Sequence, residues 1–268
     1  MSPQLKFIVN KFLKYFNIKI LKYSALLKLQ NRADSLTKYK YKINFLKYFF
    51  YKKNFNTIFN LATHKYCKSE FLQDVYALYK SKFKKKGVFI EMGACDGILS
   101  SNTYLLEKVF KWKGILVEPA LYYHKRLKFN RKCSIETSCV YSASNEMINF
   151  NETYPKSISS IENFNFFDEN SIQRKLNKNI YKVRTISLNH LFDKYHLKKI
   201  DFLSIDTEGS EYEILKNFNF NKYQIKIICC EHNYSVNRNK IFKLLNLKGY
   251  KREYENLSQY DDWYFKKN

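Results

Sequence analysis

The sequence predicts an α/β fold: a Rossmann-like, mostly parallel sheet with helices on both faces. Three observations point to it. Short apolar runs alternate with amphipathic segments from residue 61 onward, and strands alternating with helices at this spacing build parallel sheets covered on both sides. Those runs end in acids: Glu91, Glu118, Asp206 with Glu208, and Glu231. The chain holds six glycines in 268 residues, yet Gly93 and Gly97 both fall just past the first run.

"SEFLQDVYALYKSKF", residues 69–83, reads as a helix with Ser69 as its N-cap. Val88–Ile90 is the first strand, and Ser101–Phe110 the helix that follows it. "GILVEPA" is a short buried strand closed by Glu118-Pro119, "YYHKRLKFNR" a helix, and "CSIETSCVYSA" a single third strand. Residues 145–180 are polar, aromatic and irregular. "HLFDKYHLKK" is a short helix, and "IDFLSIDTEGSE" a strand ending in acids. "EYEILKNF" is a helix, "IKIICCEHN" a buried strand, "VNRNKIFKLLNLKGY" a helix, and "DDWYFKK" the last strand.

The length suits one domain with an extension, divided at residues 1–60 and 61–268. Lys and Arg total 48 against 24 Asp and Glu, a formal charge of +24. Such a surplus suits a polyanionic partner. Compositional drift is the competing cause, since Lys, Asn, Ile, Tyr and Phe are the residues AT-rich codons specify. Half of the surplus lies in residues 1–60, with 13 Lys/Arg and one acid, Asp34. Leu5, Ile8, Val9, Phe12, Leu13 and Phe16 recur there at helical spacing between lysines. That stretch fits a helix on an anionic membrane surface, or one lying on the main domain. No charge-free apolar run reaches the roughly 18 residues a membrane span needs, and no signal peptide is evident. The six cysteines form no C-x-x-C pair and read as core residues in a reducing, cytoplasmic setting.

In such a sheet ligands bind outside the carboxyl ends of the strands, where the acids and glycines gather. Gly93 and Gly97 allow a sharp turn and close approach of the backbone. The loop "EMGACDG" fails the G-x-G-x-x-G pattern of pyrophosphate binders, and its acids would repel phosphate. Glu118 lies 25 residues past Gly93, the spacing at which a Rossmann acid takes ribose hydroxyls. A nucleoside with a positive centre and no phosphate fits both facts, and S-adenosylmethionine is the candidate.

"FIEMGACDG", "GILVEP", "IDFLSIDTEGSE" and "IICCEHN", in this order and spacing, resemble the FkbM family of class I S-adenosylmethionine-dependent methyltransferases. Gln73-Asp74, "SNTYLLEK" and the closing "NLSQYDDWYF" are similar to a branch of that family. The likeness spans roughly residues 66–268 and is weakest over 145–180, which leaves acceptor specificity to that insert. The resemblance implies a seven-stranded sheet with an antiparallel last strand, and O-methylation of sugar hydroxyls. It implies that Glu91, Gly93, Ala94 and Gly97 shape the methionine and ribose end of the cofactor site. Asp96 would meet the cofactor's amino group, Glu118 the ribose diol, and Asp206 and Glu208 the reacting centre.

Methylating a hydroxyl calls for a base. Asp206 and His232 are the two candidates, with Glu208 beside them. Glu208 and Glu211 could instead orient the acceptor or join Asp206 around a hard cation, or serve the helix dipole; no metal is assigned. Gln73, Asp74, Asn102 and Glu231 are placed at the edge of the site, and for Gln73-Asp74 a solvated helix turn is the alternative. The expected partner is a carbohydrate or glycoconjugate acceptor. Two rivals remain. One is an RNA ribose methyltransferase, favoured by the charge and the 23 tyrosines but not by the acid-rich loops. The other is a non-catalytic, basic, membrane-associated Rossmann-like protein.

Overall fold

A computed structural model describes residues 39–164, 170–176 and 178–266. The chain enters through a helix over 39–49 and a second, Phe55–Ala62. Eleven strands follow: β1 Val88–Met92, β2 Lys113–Val117, β3 Ser134–Glu136, β4 Cys139–Tyr141, β5 Met147–Asn151, β6 Ser160–Ile161, β7 Ile180–Ser187, β8 Lys199–Ile205, β9 Gln224–Glu231, β10 Tyr250–Glu253 and β11 Asp261–Lys266. Seven form the main sheet in the order β10-β11-β9-β8-β1-β2-β3. Neighbours from β9 to β3 pair in parallel, while β11 is antiparallel to both β9 and β10. This is the expected seven-stranded sheet with its last strand reversed.

The apolar runs supply two cores because successive side chains in a strand point to opposite faces. On β8 and β9, Phe202, Ile227 and Cys229 enter one core, and Leu203, Ile228 and Cys230 the other. The adjacent Cys229-Cys230 pair therefore serves one face each, as core residues. The first core is closed by Gln73–Lys80 and by helix 39–49, whose Phe45 and Phe49 are fully buried. The second is closed by Leu188–Lys194, Glu211–Lys216 and Asn237–Leu247. The division at residue 60 falls inside the helix Phe55–Ala62. The amphipathic stretch Leu5–Phe16 lies outside the described residues.

Four expectations need correction. "CSIETSCVYSA" is two strands, and β3 and β4 belong to different sheets. The stretch 145–180 contributes β5, β6 and the start of β7, which with β4 form a second, four-stranded sheet ordered β4-β7-β5-β6. Ser69 is not a helix cap: the helix begins at Gln73 after Leu72, whose φ of 68° is left-handed. The stretch read as running through Tyr250 stops at Leu247, and Tyr250 opens β10 on the sheet edge.

Candidate active site

The carboxyl ends of β1, β2, β8 and β9 open onto a cavity of about 390 Å³, within the size range of small-molecule sites. The second sheet supplies another wall through Cys139, Val140, Phe150 and Ile161.

Gly93 is where three loops meet. Its amide and that of Ala94 donate to the Val117 carbonyl at 3.0 and 3.2 Å, and the Asp206 amide donates to the Met92 carbonyl. At φ +75° a Cβ on Gly93 would lie 1.9 Å from the Asp206 carbonyl oxygen. Only a bare backbone closes this cradle. Gly97 also has a positive φ, +80°, but its close neighbours are Arg131 and Leu127 side-chain atoms. It serves packing of the loop on the helix Leu121–Asn130 and does not line the cavity.

Glu118 ends β2 and holds the loop on the cavity side. Its two carboxylate oxygens accept from the Cys95 and Ala120 amides, each at 2.8 Å. Burial, against those hydrogen bonds, pushes its carboxyl up to about 7. Glu91 is turned to a structural task. It accepts from Ser101 Oγ, the Asn102 amide and Thr103 Oγ1, with the buried Arg131 guanidinium 3.7 Å away. Arg131 also donates to Glu107, to the Gly97 carbonyl and to Thr103. Asn102 is thereby pinned against the cavity, and its Nδ2 donates to Ser204 Oγ at 2.9 Å.

Beyond the cradle, Asp206, Glu208 and Glu231 bring carboxylate oxygens within 4.8 Å of one another, close enough to hold a divalent cation. Burial, then Glu211, Glu70 and Glu91, push Asp206 up to about 7, opposed by a hydrogen bond with Glu231. The Asp206 side chain faces the open cavity and keeps contact with solvent. Glu231 is raised well above the ordinary carboxyl range by burial and the neighbouring acids. Glu208, at a left-handed φ of 58°, is ion-paired with the buried Arg174.

Other expected residues fall elsewhere. Asp96 Oδ1 accepts from the Ile98 and Leu99 amides of its own turn; neither it nor Ala94 lines the cavity. His232 follows Glu231 by one residue and so points the other way. Its Nδ1 accepts the Tyr234 amide, its Nε2 lies 3.6 Å from Asp262, and burial lowers it to about 4. It lines no part of the cavity, which leaves Asp206 as the base candidate. Asp74 is buried away from the cavity, bonded by Ser69 and the Val75 amide. Gln73 does line it and donates to Asp261 Oδ2 at 2.7 Å. Glu211 Oε1 accepts from the Thr207 and Gly209 amides and shapes the loop after β8.

Sequence reasoning missed Glu70, Asp261 and Arg174. Asp261 pairs in register with Glu231 across β11 and β9. Burial pushes it up to about 8. The acids Glu70, Glu91, Glu118, Asp206, Glu208, Glu231 and Asp261 all line the cavity, and no Lys, Arg or His is among the described lining residues. Two buried oxygens there, Asn102 Oδ1 and Glu231 Oε2, have no hydrogen-bond partner among the described residues. Such a donor set fits a cationic, hydroxyl-bearing nucleoside and opposes a phosphate.

A methyltransferase FkbM domain model matches residues 91–257. No curated protein matches the sequence. Among solved structures, the chain is similar to an FkbM methyltransferase from Methylobacillus flagellatus KT, with 11% identity, TM-score 0.42, and 99% of this chain and 71% of that one covered. A precorrin-6y C5,15-methyltransferase from Geobacter metallireducens GS-15 is 11% identical with TM-score 0.39, over 71% and 78% of the two chains. Aeropyrum pernix fibrillarin, solved with natively bound S-adenosyl-L-methionine, is 11% identical with TM-score 0.35, over 68% and 66%. The family model takes in more than half of the chain, including the loops after β1, β2, β8 and β9 that wall the cavity, and the chain belongs to the FkbM family of S-adenosylmethionine-dependent methyltransferases.

Proposed function

We propose that the acceptor is a neutral hydroxyl, on a sugar or glycan. Seven acids and, among the described lining residues, no Lys, Arg or His support this reading, with Arg131 and Arg174 lying behind Glu91 and Glu208. Carboxylates accept hydrogen bonds from sugar hydroxyls, whereas a phosphate 6 Å from a carboxylate meets about 3 kcal/mol of repulsion per pair at an effective dielectric of 20. An RNA acceptor would bring that cost wherever a phosphate neighbours an ionised carboxylate.

The bound donor supplies a sulfonium methyl, which leaves as its sulfur takes back the bonding pair. The protein's part is alignment and proton removal. Asp206 sits at the end of β8, fixed by the hydrogen bond its backbone amide donates to the Met92 carbonyl. Its carboxylate accepts the hydroxyl proton as the O–CH₃ bond forms. With its carboxyl at about 7, the base form predominates above neutrality, and the rate rises as pH climbs through that value. Asn102, tied to Ser204, and Gln73, tied to Asp261, set the walls against which an acceptor is placed.

The test is transfer of labelled methyl to a panel of monosaccharide glycosides, with RNA oligomers alongside. Glycoside labelling is expected. Asp206→Asn should retain donor binding and slow transfer roughly 10²–10⁴-fold. Labelling of RNA alone, or full turnover by Asp206→Asn, overturns the corresponding part.

A further inference from the structure

Helix 39–49 buries Phe45 and Phe49 in the core. Its opposite face carries Tyr39, Ile43, Lys47 and, at its end, Phe50, all exposed. These positions recur at intervals of three and four residues, one stripe of a helix. The patch continues into the next helix through touching rings. Phe50 lies 5.0 Å from Tyr51 and 5.1 Å from Phe55, and Phe55 lies 5.9 Å from Phe59. Tyr51 is 94% exposed and Phe50 56%. Contiguous exposed apolar patches mark interaction surfaces, unlike single exposed residues.

Within the segment itself the charge has one sign. Residues 39–62 hold Lys40, Lys42, Lys47, Lys52 and Lys53 and no acid. Lys52 lies over the Tyr48 ring at 5.5 Å. Tyrosines and phenylalanines that seat at headgroup depth, ringed by lysines whose stems lie along apolar surface, meet the two demands of an anionic bilayer face.

Other occupants fit less well. A second copy on a two-fold axis would set these lysines against the same lysines. Single-stranded RNA would need open ring faces, yet Phe50 meets Tyr51 and Phe55 edge-to-face, at 87° and 65°, and Ile43 offers no stacking surface. We propose that the outer face of residues 39–59 docks the protein onto an anionic phospholipid bilayer. The inference is independent of which acceptor is methylated.

Co-sedimentation of the full chain with vesicles tests it. Binding is expected to phosphatidylcholine vesicles containing phosphatidylglycerol, to weaken as salt rises, and to be absent on pure phosphatidylcholine. Lys52→Glu/Lys53→Glu should lower partitioning at least roughly 30-fold, from the contribution of each lysine near such a surface. Phe50→Ser/Tyr51→Ser should lower it at least roughly tenfold. Both variants change exposed side chains, and unchanged circular dichroism and S-adenosylhomocysteine binding would show an intact fold. Three results overturn the proposal: no binding to anionic vesicles; binding untouched by both variants, which would place it in another segment; or a concentration-dependent dimer or RNA complex that both variants abolish while vesicle binding persists.

Discussion

Gly93→Ala isolates the cradle from the rest of the fold. The added Cβ would stand 1.9 Å from the Asp206 carbonyl oxygen, where real contacts begin at 3.0 Å. The obstacle is backbone, so no rotamer relieves it, and the ends of β1 and β8 must part by about 1 Å. That strains the Asp206 amide's bond to Met92 and the Gly93 and Ala94 bonds to Val117. The left-handed φ adds roughly 1–2 kcal/mol for a residue with a Cβ, and the forced separation about 1–3 more. A shift of about 1 Å at a positioning loop also costs on the order of 100-fold in alignment. Calorimetry with S-adenosylhomocysteine should show affinity lowered at least tenfold, about 1.4 kcal/mol, together with a lower melting temperature. Gly97→Ala is the control. It has the same backbone penalty, but its clash is with Arg131 and Leu127 side chains outside the cavity, so stability falls while affinity stays near wild type. Equal affinity losses in both variants would refute the separation of cradle glycine from packing glycine.

Glu118→Ala should weaken S-adenosylhomocysteine binding at least tenfold by calorimetry. It leaves the Cys95 and Ala120 amides without their acceptor, at about 1–3 kcal/mol each where no water replaces it. The Asp261 carboxyl is held at about 8 in the fold against an ordinary 3.8, so the fold favours its protonated form. That stability is complete below about pH 4 and is lost as pH rises through about 8. Melting curves of the ligand-free protein should therefore fall over this window, and less steeply in Asp261→Asn; identical slopes would count against the assignment. Loss of protons from Glu118 and Asp261 makes the cavity more negative as pH rises. Affinity for S-adenosylmethionine should rise with pH through 7–8, while affinity for S-adenosylhomocysteine, a zwitterion without the sulfonium charge, changes much less; parallel profiles would refute the link.

The sheet was legible because its strands are short apolar runs with helices between them, and the site because acids close those runs. What stayed hidden was direction. Glu231 and His232 are neighbours, and so are Asp261 and Asp262, but successive strand residues face opposite ways. One of each pair enters the cavity and the other meets the Arg238 and Arg252 side. Composition cannot say which. The second sheet was missed because β5 and β7 are half exposed and polar and β6 is only two residues long. Even so, "YKVRT" in β7 alternates Tyr181, Val183 and Thr185 with Lys182 and Arg184, and that period of two was a usable signal. β10 is a charged edge strand announced only by Gly249, whose φ of +81° marks the turn between it and the preceding helix. The 137–138 break between β3 and β4 carries neither Gly nor Pro, so nothing local reports it.

Net charge misleads about the ligand because the two signs are sorted in space. The chain carries +24, yet the cavity at the strand ends is lined by acids and no described cation. The cations that approach the site are engaged in holding it: Arg131 is spent on Glu107 and the 97–103 loop, and Arg174 on Glu208. A long-range field set by surface lysines attracts polyanions to the outside of the protein, but it decays within about a Debye length in salt. Inside the cavity the nearest groups decide, and these are carboxyl groups within a few ångströms, which are neutral or negative and never positive. Surface and cavity therefore select for opposite charge. The sign of the exterior and the sign of the cavity are set by different residues, and neither can be inferred from the other.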